Sequence, residues 1–154
     1  MGSNSVTQHH PQRRLKGGPA VAKIVQLYLL TTVVFFVIDF VWLSTVAQSF
    51  YQNQIGPLLR SPFNLPVAAG FYLFYIVGIL VFAVIPGMEK GGLVDVLWRG
   101  ALFGALAYGT YDLTNLATLE GYTWQVAAVD MTWGTVLTGT VSAASYYIAR
   151  WLNV

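Results

Sequence analysis

The stretch at residues 24–47, IVQLYLLTTVVFFVIDFVWLSTVA, decides the fold. As a helix rising 1.5 Å per residue it reaches about 36 Å, enough to cross the ~30 Å of a bilayer's hydrocarbon. Its one charged residue is Asp39. Three further apolar runs follow, at about 65–85, 96–119 and 126–148. None alternates polar and apolar residues as a transmembrane strand does, so all four read as helices. The breaks between them carry turn chemistry: Gly56-Pro57 and Ser61-Pro62, Pro86-Gly87 and Gly91-Gly92, and Gly121. The fold class is therefore an all-α integral membrane protein, a bundle of four transmembrane helices over residues 23–154. In the first loop Phe50, Tyr51, Ile55, Leu58 and Leu59 allow either a short amphipathic turn on the membrane surface or a plain loop.

Composition agrees. Of 154 residues 56% are hydrophobic and 9% charged, where soluble proteins carry roughly a quarter charged. That excludes a soluble enzyme, and the bases form no nucleic-acid groove, so no nucleic-acid partner is expected. The expected partners are the lipid bilayer and, because one small bundle rarely encloses a full pathway, a second copy or a partner membrane subunit.

Residues 1–22 are polar, contain Arg13, Arg14 and Lys16, and read as a disordered basic tail. The apolar run after Arg13-Arg14 is too long for a signal-peptide core, so the first helix is expected to stay as an anchor. With that tail inside, Arg13, Arg14, Lys16, Lys23, Lys90, Arg99 and Arg150 all fall on the cytoplasmic side and only Arg60 falls outside. The bias puts both termini in the cytoplasm.

Three of the six acids, Asp39, Asp112 and Asp130, lie inside the spans. Each would cost about 2.5–3.5 kcal/mol if it faced lipid near a span centre. Counting from the span midpoints puts them roughly 6, 7 and 10 Å outward of the midplane, in one layer. Asp39-Phe-Val-Trp42 is echoed by Asp130-Met-Thr-Trp133, an acid and an indole sharing a helical face in both. On the third helix Tyr108, Asp112 and Asn115 share a face, with Tyr111 and Thr118 beside it. The candidate substrate- or cation-binding set is thus Asp39, Trp42, Tyr108, Asp112, Asn115, Asp130 and Trp133. The second helix is uncharged and reads as a wall, and Tyr122 and Trp124 read as interfacial belt residues.

Small residues at Gly100-x-x-x-Gly104 and Ala101-x-x-x-Ala105, and along Gly134, Thr138, Ser142 and Ser145, read first as packing surfaces. No span contains His, Cys or Lys. No haem ligation, iron–sulfur cluster or retinal attachment is therefore expected, and no cofactor is evident. If a metal binds, it is a hard divalent cation held by Asp39, Asp112 and Asp130.

The string Tyr111-Asp112-Leu113-Thr114-Asn115-Leu116-Ala117-Thr118-Leu119, then Gly121 and Asp130-x-x-Trp133-Gly134-Thr135, and Asp39-x-x-Trp42-Leu43, resembles a family of small bacterial four-span inner-membrane proteins classed as a domain of unknown function. The resemblance covers roughly 24–154. It implies a compact four-helix protein of the bacterial inner membrane with Asp39, Asp112, Asn115 and Asp130 in its signature. It implies no reaction. From the residues, the leading expectation is a small proton- or cation-linked carrier using the three aspartates. The alternatives are a non-catalytic subunit or assembly factor whose aspartates bind helices together, and an outer-leaflet lipid-modifying enzyme using the carboxylates as acid and base.

Overall fold

The computed structural model describes residues 17–154. Among them the regular elements are helical: α1 (Gly17–Trp42), α2 (Gln48–Ile55), α3 (Leu65–Gly78), α4 (Ile85–Lys90), α5 (Leu93–Thr118) and α6 (Trp124–Leu152). A π-helical segment, Leu43–Ala47, joins α1 to α2, and another, Ile79–Val84, joins α3 to α4. The stretches Ala20–Leu58 and Leu65–Lys90 are long and apolar enough to cross a membrane by length and composition. Helices α5 and α6 run for 26 and 29 residues and are more polar, because the faces they turn to each other are built of Gly, Ser, Thr and Asp.

The residues at the helix ends explain where most of these elements begin. At α3 the Asn64 side chain accepts from Val67 N at 3.3 Å and a proline sits in the first turn. At α6 the Thr123 hydroxyl accepts from Val126 N, also at 3.3 Å. The chain leaves α6 through Asn153 in the left-handed region, φ 55°, with Val154 N donating to Ala149 O. Gly92, φ 75°, makes the tight passage from α4 to α5 that a side chain would strain.

Three expectations need correction. Helix α1 begins at Gly17, so residues 17–22 of the expected tail are helical; the rest of that tail lies outside the described residues. Of the two readings of the first loop, the plain loop is excluded, because residues 48–55 form α2. Gln48, Ser49, Gln52 and Asn53 ended the apolar run without ending the helix, which continues until Gly56-Pro57. The Pro86-Gly87 break also stays helical, within α4. Proline lacks a donor and clashes with the carbonyl one turn earlier; the π-helical turns just before Pro86 widen the backbone where that clash would fall.

Helices α5 and α6 pack antiparallel through their small residues. A side chain at Gly100 would run into Ser142, and one at Gly104 would run into the carbonyl of Gly134 and lie 2.7 Å from Thr138 Oγ1. Helix α1 lies antiparallel along α6: Lys23 Nζ reaches Asn153 O at 3.0 Å, and Thr31 and Ser145 share a buried hydrogen bond of 2.9 Å. Helix α3 closes the bundle, with Tyr72 5.4 Å from Phe35 of α1 and Tyr75 stacked 5.2 Å from Phe103 of α5. Leu27, Phe35, Ile76, Ile79, Leu137 and Val141 form the sealed centre. The outward faces stay apolar: Phe40 is 69% and Phe74 75% exposed, an outer surface suited to lipid. At one end, Ile55 joins Tyr122, Val126 and Ala127 in a second cluster, so α2 folds over the turn between α5 and α6.

Candidate functional site

The register of α5 on α6 places two of the aspartates. Gly100 faces Ser142, Gly104 faces Thr138, and Gly134 lies under the Tyr108 ring. One further turn brings Asp112 level with Asp130, since residues four apart stack on one helical face. Across the α1–α6 contact the same end of the bundle holds Asp39, to which Trp133 Nε1 donates at 3.4 Å. Asp39 and Asp112 are buried, 4% and 0% exposed, and Asp130 is half-buried.

Each carboxylate has taken its own aromatic donor. The Tyr122 hydroxyl donates to Asp112 Oδ1 at 2.5 Å. The Tyr51 hydroxyl of α2 donates to Asp130 Oδ1. Asp39 takes the Trp133 indole, and Tyr72 of α3 stands beside it. The two Asp-x-x-Trp motifs therefore interlock: the indoles of Trp42 and Trp133 stack at 4.5 Å and 10°, and the acid of one motif is served by the indole of the other. In the turn outside the spans, burial pushes the Tyr122 phenol above its ordinary range, and the Asp112 charge pushes it the same way, so it stays a donor.

Two buried polar atoms at this end have no partner, Asp112 Oδ2 and Trp42 Nε1. A buried polar group normally finds one, so both atoms are costly as they stand. No Lys, Arg or His makes an ion pair with Asp39, Asp112 or Asp130 among the described residues, where the one salt bridge is Arg99–Asp95 at 2.7 Å.

Of the seven sequence-derived residues, Asp39, Trp42, Asp112, Asp130 and Trp133 meet at this end. Tyr108 packs on Gly134 and edge-on to Tyr75 at 6.3 Å, and lines a groove that also reaches Asp130. Asn115 is half-buried beside Tyr111. The three acids do not converge as metal ligands: among the described residues no group of three or more such side chains is gathered closely enough to hold a metal ion. Sequence reasoning missed Tyr51, Tyr72 and Tyr122. Tyr122, expected as a belt residue, is 8% exposed and serves Asp112; Tyr51 was hidden in the expected loop; and the wall helix supplies Tyr72.

An all-helical bundle with an apolar outer surface and acids sealed at one end is a membrane protein. The family model described as "Predicted membrane protein (DUF2177)" matches residues 24–147, and the chain belongs to that family. No curated protein and no solved structure matches it.

Proposed function

We propose that the chain crosses the bacterial inner membrane four times, with both termini cytoplasmic, and works as a small proton- or cation-linked carrier through Asp39, Asp112 and Asp130. Helices α5 and α6, with 26 and 29 residues, have the length to span. Asp112, Thr138, Ser142 and Ser145 are buried in the bundle interior, so part of the lower hydropathy of these helices is never presented to lipid. The distribution of Lys and Arg supports the orientation.

One observation carries the carrier reading. The three carboxylates are served by tyrosines and a tryptophan, and among the described residues no basic side chain pairs with them and Asp112 Oδ2 has no partner. A site built from acids and neutral donors is balanced by a proton or a bound cation. In liposomes the purified protein should drive cation- or pH-gradient-linked flux that Asp112→Asn abolishes. Undiminished flux in all three Asp→Asn variants would end the proposal.

A second reading has its own support, because the pairs Asp39–Trp133 and Tyr51–Asp130 join different helices. On that reading the protein is a subunit or assembly factor and the aspartates hold the bundle together. It predicts that Asp112→Asn loses function only in proportion to lost folding stability, whereas the carrier loses flux in protein that remains folded.

A further inference from the structure

A groove of about 670 Å³ opens between α3 and α5 and reaches α6. Its walls are Phe71, Tyr72 and Tyr75 of α3 and Tyr108 and Tyr111 of α5, and at its inner side stands Asp130 of α6. Among the described residues no basic side chain lines it. The rings are ordered by their own packing: Phe71 stacks on Tyr75 at 5.8 Å, and Tyr75 meets Tyr108 edge-on at 6.3 Å. Tyr51 engages Asp130 Oδ1, and among the described residues no hydrogen bond is made to the second oxygen.

We infer that this groove binds an organic ammonium ion with an apolar body, its cationic head at Asp130 and its body against the tyrosine faces. The inference deepens the carrier reading by naming a substrate class for the same acidic layer, and it rests on that reading. Three comparisons select the class. An inorganic divalent cation needs several oxygen ligands to replace its water, and one carboxylate among aromatic rings does not supply them. An anion finds a carboxylate and no cationic partner. A neutral lipid chain would fill the apolar wall but leave Asp130 desolvated with its second oxygen unserved. An ammonium ion whose charge is spread over alkyl substituents is cheaply desolvated, is drawn to ring faces and completes the carboxylate. A volume of this size lies in the range of about 300–1,000 Å³ typical of small-molecule sites.

The test uses full-length protein in nanodiscs, with benzyltrimethylammonium as probe and neopentylbenzene, its uncharged isostere, as control, followed by saturation-transfer NMR and equilibrium dialysis. The cation should bind at least tenfold more tightly than the isostere. Asp130→Asn should weaken cation binding at least tenfold while leaving the isostere unchanged. Ala68→Trp, on the exposed groove wall of α3, should block the probe with Asp130 intact, which keeps the test decisive if Asp130→Asn fails to fold. Equal binding of cation and isostere, or binding unaffected by both variants, overturns the inference. Flux in liposomes without probe binding overturns the inference and leaves the carrier reading standing. Probe binding with the expected variant losses but no flux of any cation overturns the carrier reading and leaves the site.

Discussion

Removing the Tyr122 hydroxyl isolates a fully buried carboxylate. Asp112 is 0% exposed, its Oδ2 has no partner, and its Oδ1 accepts from Tyr122 at 2.5 Å. Tyr122→Phe keeps the ring in its cluster with Ile55, Val126 and Ala127 and its edge-on contact with Tyr111 at 6.4 Å, so only the hydrogen bond is deleted. A hydrogen bond to a charged partner is worth about 1.5–3 kcal/mol, and the abandoned acceptor is left buried and unserved. The folded population should fall roughly 10- to 150-fold relative to the unfolded one, at 1.36 kcal/mol per factor of ten. Replacing both partners by apolar groups of similar shape is nearly neutral. In an Asp112→Leu background, Tyr122→Phe should therefore cost under about 0.5 kcal/mol. Reversible unfolding in mixed dodecyl maltoside and dodecyl sulfate micelles measures both. An equal cost in the two backgrounds would refute the argument, because it would mean that Tyr122 stabilises through its ring and not through Asp112.

Other expectations follow from the same packing. Gly104→Ala should destabilise by about 1–3 kcal/mol, since the new methyl meets the Gly134 carbonyl and Thr138, whereas Gly70→Ala, with nothing within 4 Å, should stabilise by roughly 0.5–1 kcal/mol; mixed-micelle unfolding reads both. Trp133→Phe removes one of two stacked indoles and the Asp39 donor, so the near-ultraviolet circular dichroism should lose its indole couplet, and an unchanged spectrum would count against the stack. The chain has no cysteine, so single-cysteine reporters carry no background. An impermeant maleimide applied outside right-side-out vesicles should label Glu120→Cys and spare Glu89→Cys, and the reverse would invert the orientation. At the start of α5, the hydrogen bond from Arg99, then that from Trp98, holds the Asp95 carboxyl below its ordinary range. A depressed carboxyl stabilises above its unfolded pKa, about 3.9, and loses that contribution as pH falls through the lower folded value. Asp95→Asn should accordingly lower Tm slightly at neutral pH, with the difference closing at the acid end of the titration.

Much of this was legible in the residues, and the exceptions have physical reasons. The apolar runs located the four main helical stretches because spanning length is a strong signal. The turn residues Ser61-Pro62, Gly91-Gly92 and Gly121 marked breaks that lie between helices in the structure. The paired Asp-x-x-Trp motifs announced a relation between α1 and α6, but only the structure revealed that the two indoles stack and that Trp133 serves Asp39 while Asp130 takes Tyr51. Helix α2 was legible only as one of two alternatives, because Gln48, Ser49, Gln52 and Asn53 end the apolar run, and Ser and Asn suit turns where Gln suits a helix. Tyr51 and Tyr122 were missed for a related reason. A tyrosine near a span end is ordinarily an interfacial residue, and its hydroxyl's partner is set by how distant segments fold over one another. The sequence left open whether a metal binds and named Asp39, Asp112 and Asp130 as its ligands if one does; depth can be counted along a helix, whereas the sideways spacing of helices cannot, and among the described residues no group of three or more such side chains is gathered to hold an ion.

The π-helical segment Leu43–Ala47 acts as a phase shifter. In a regular α-helix each residue turns the chain by about 100°, and a π-type bulge amounts to one inserted residue. Everything after it is rotated by that step relative to α1. Asp39 and Trp42 point into the α1–α6 contact, yet Phe50, Tyr51 and Ile55 still reach the buried end of α6. Without the extra residue Tyr51 would be carried about a quarter-turn away from Asp130. The pairing of that carboxylate is thus written in the pitch of a segment that does not touch it, and a one-residue deletion there would rewire the acidic layer without altering any of its side chains.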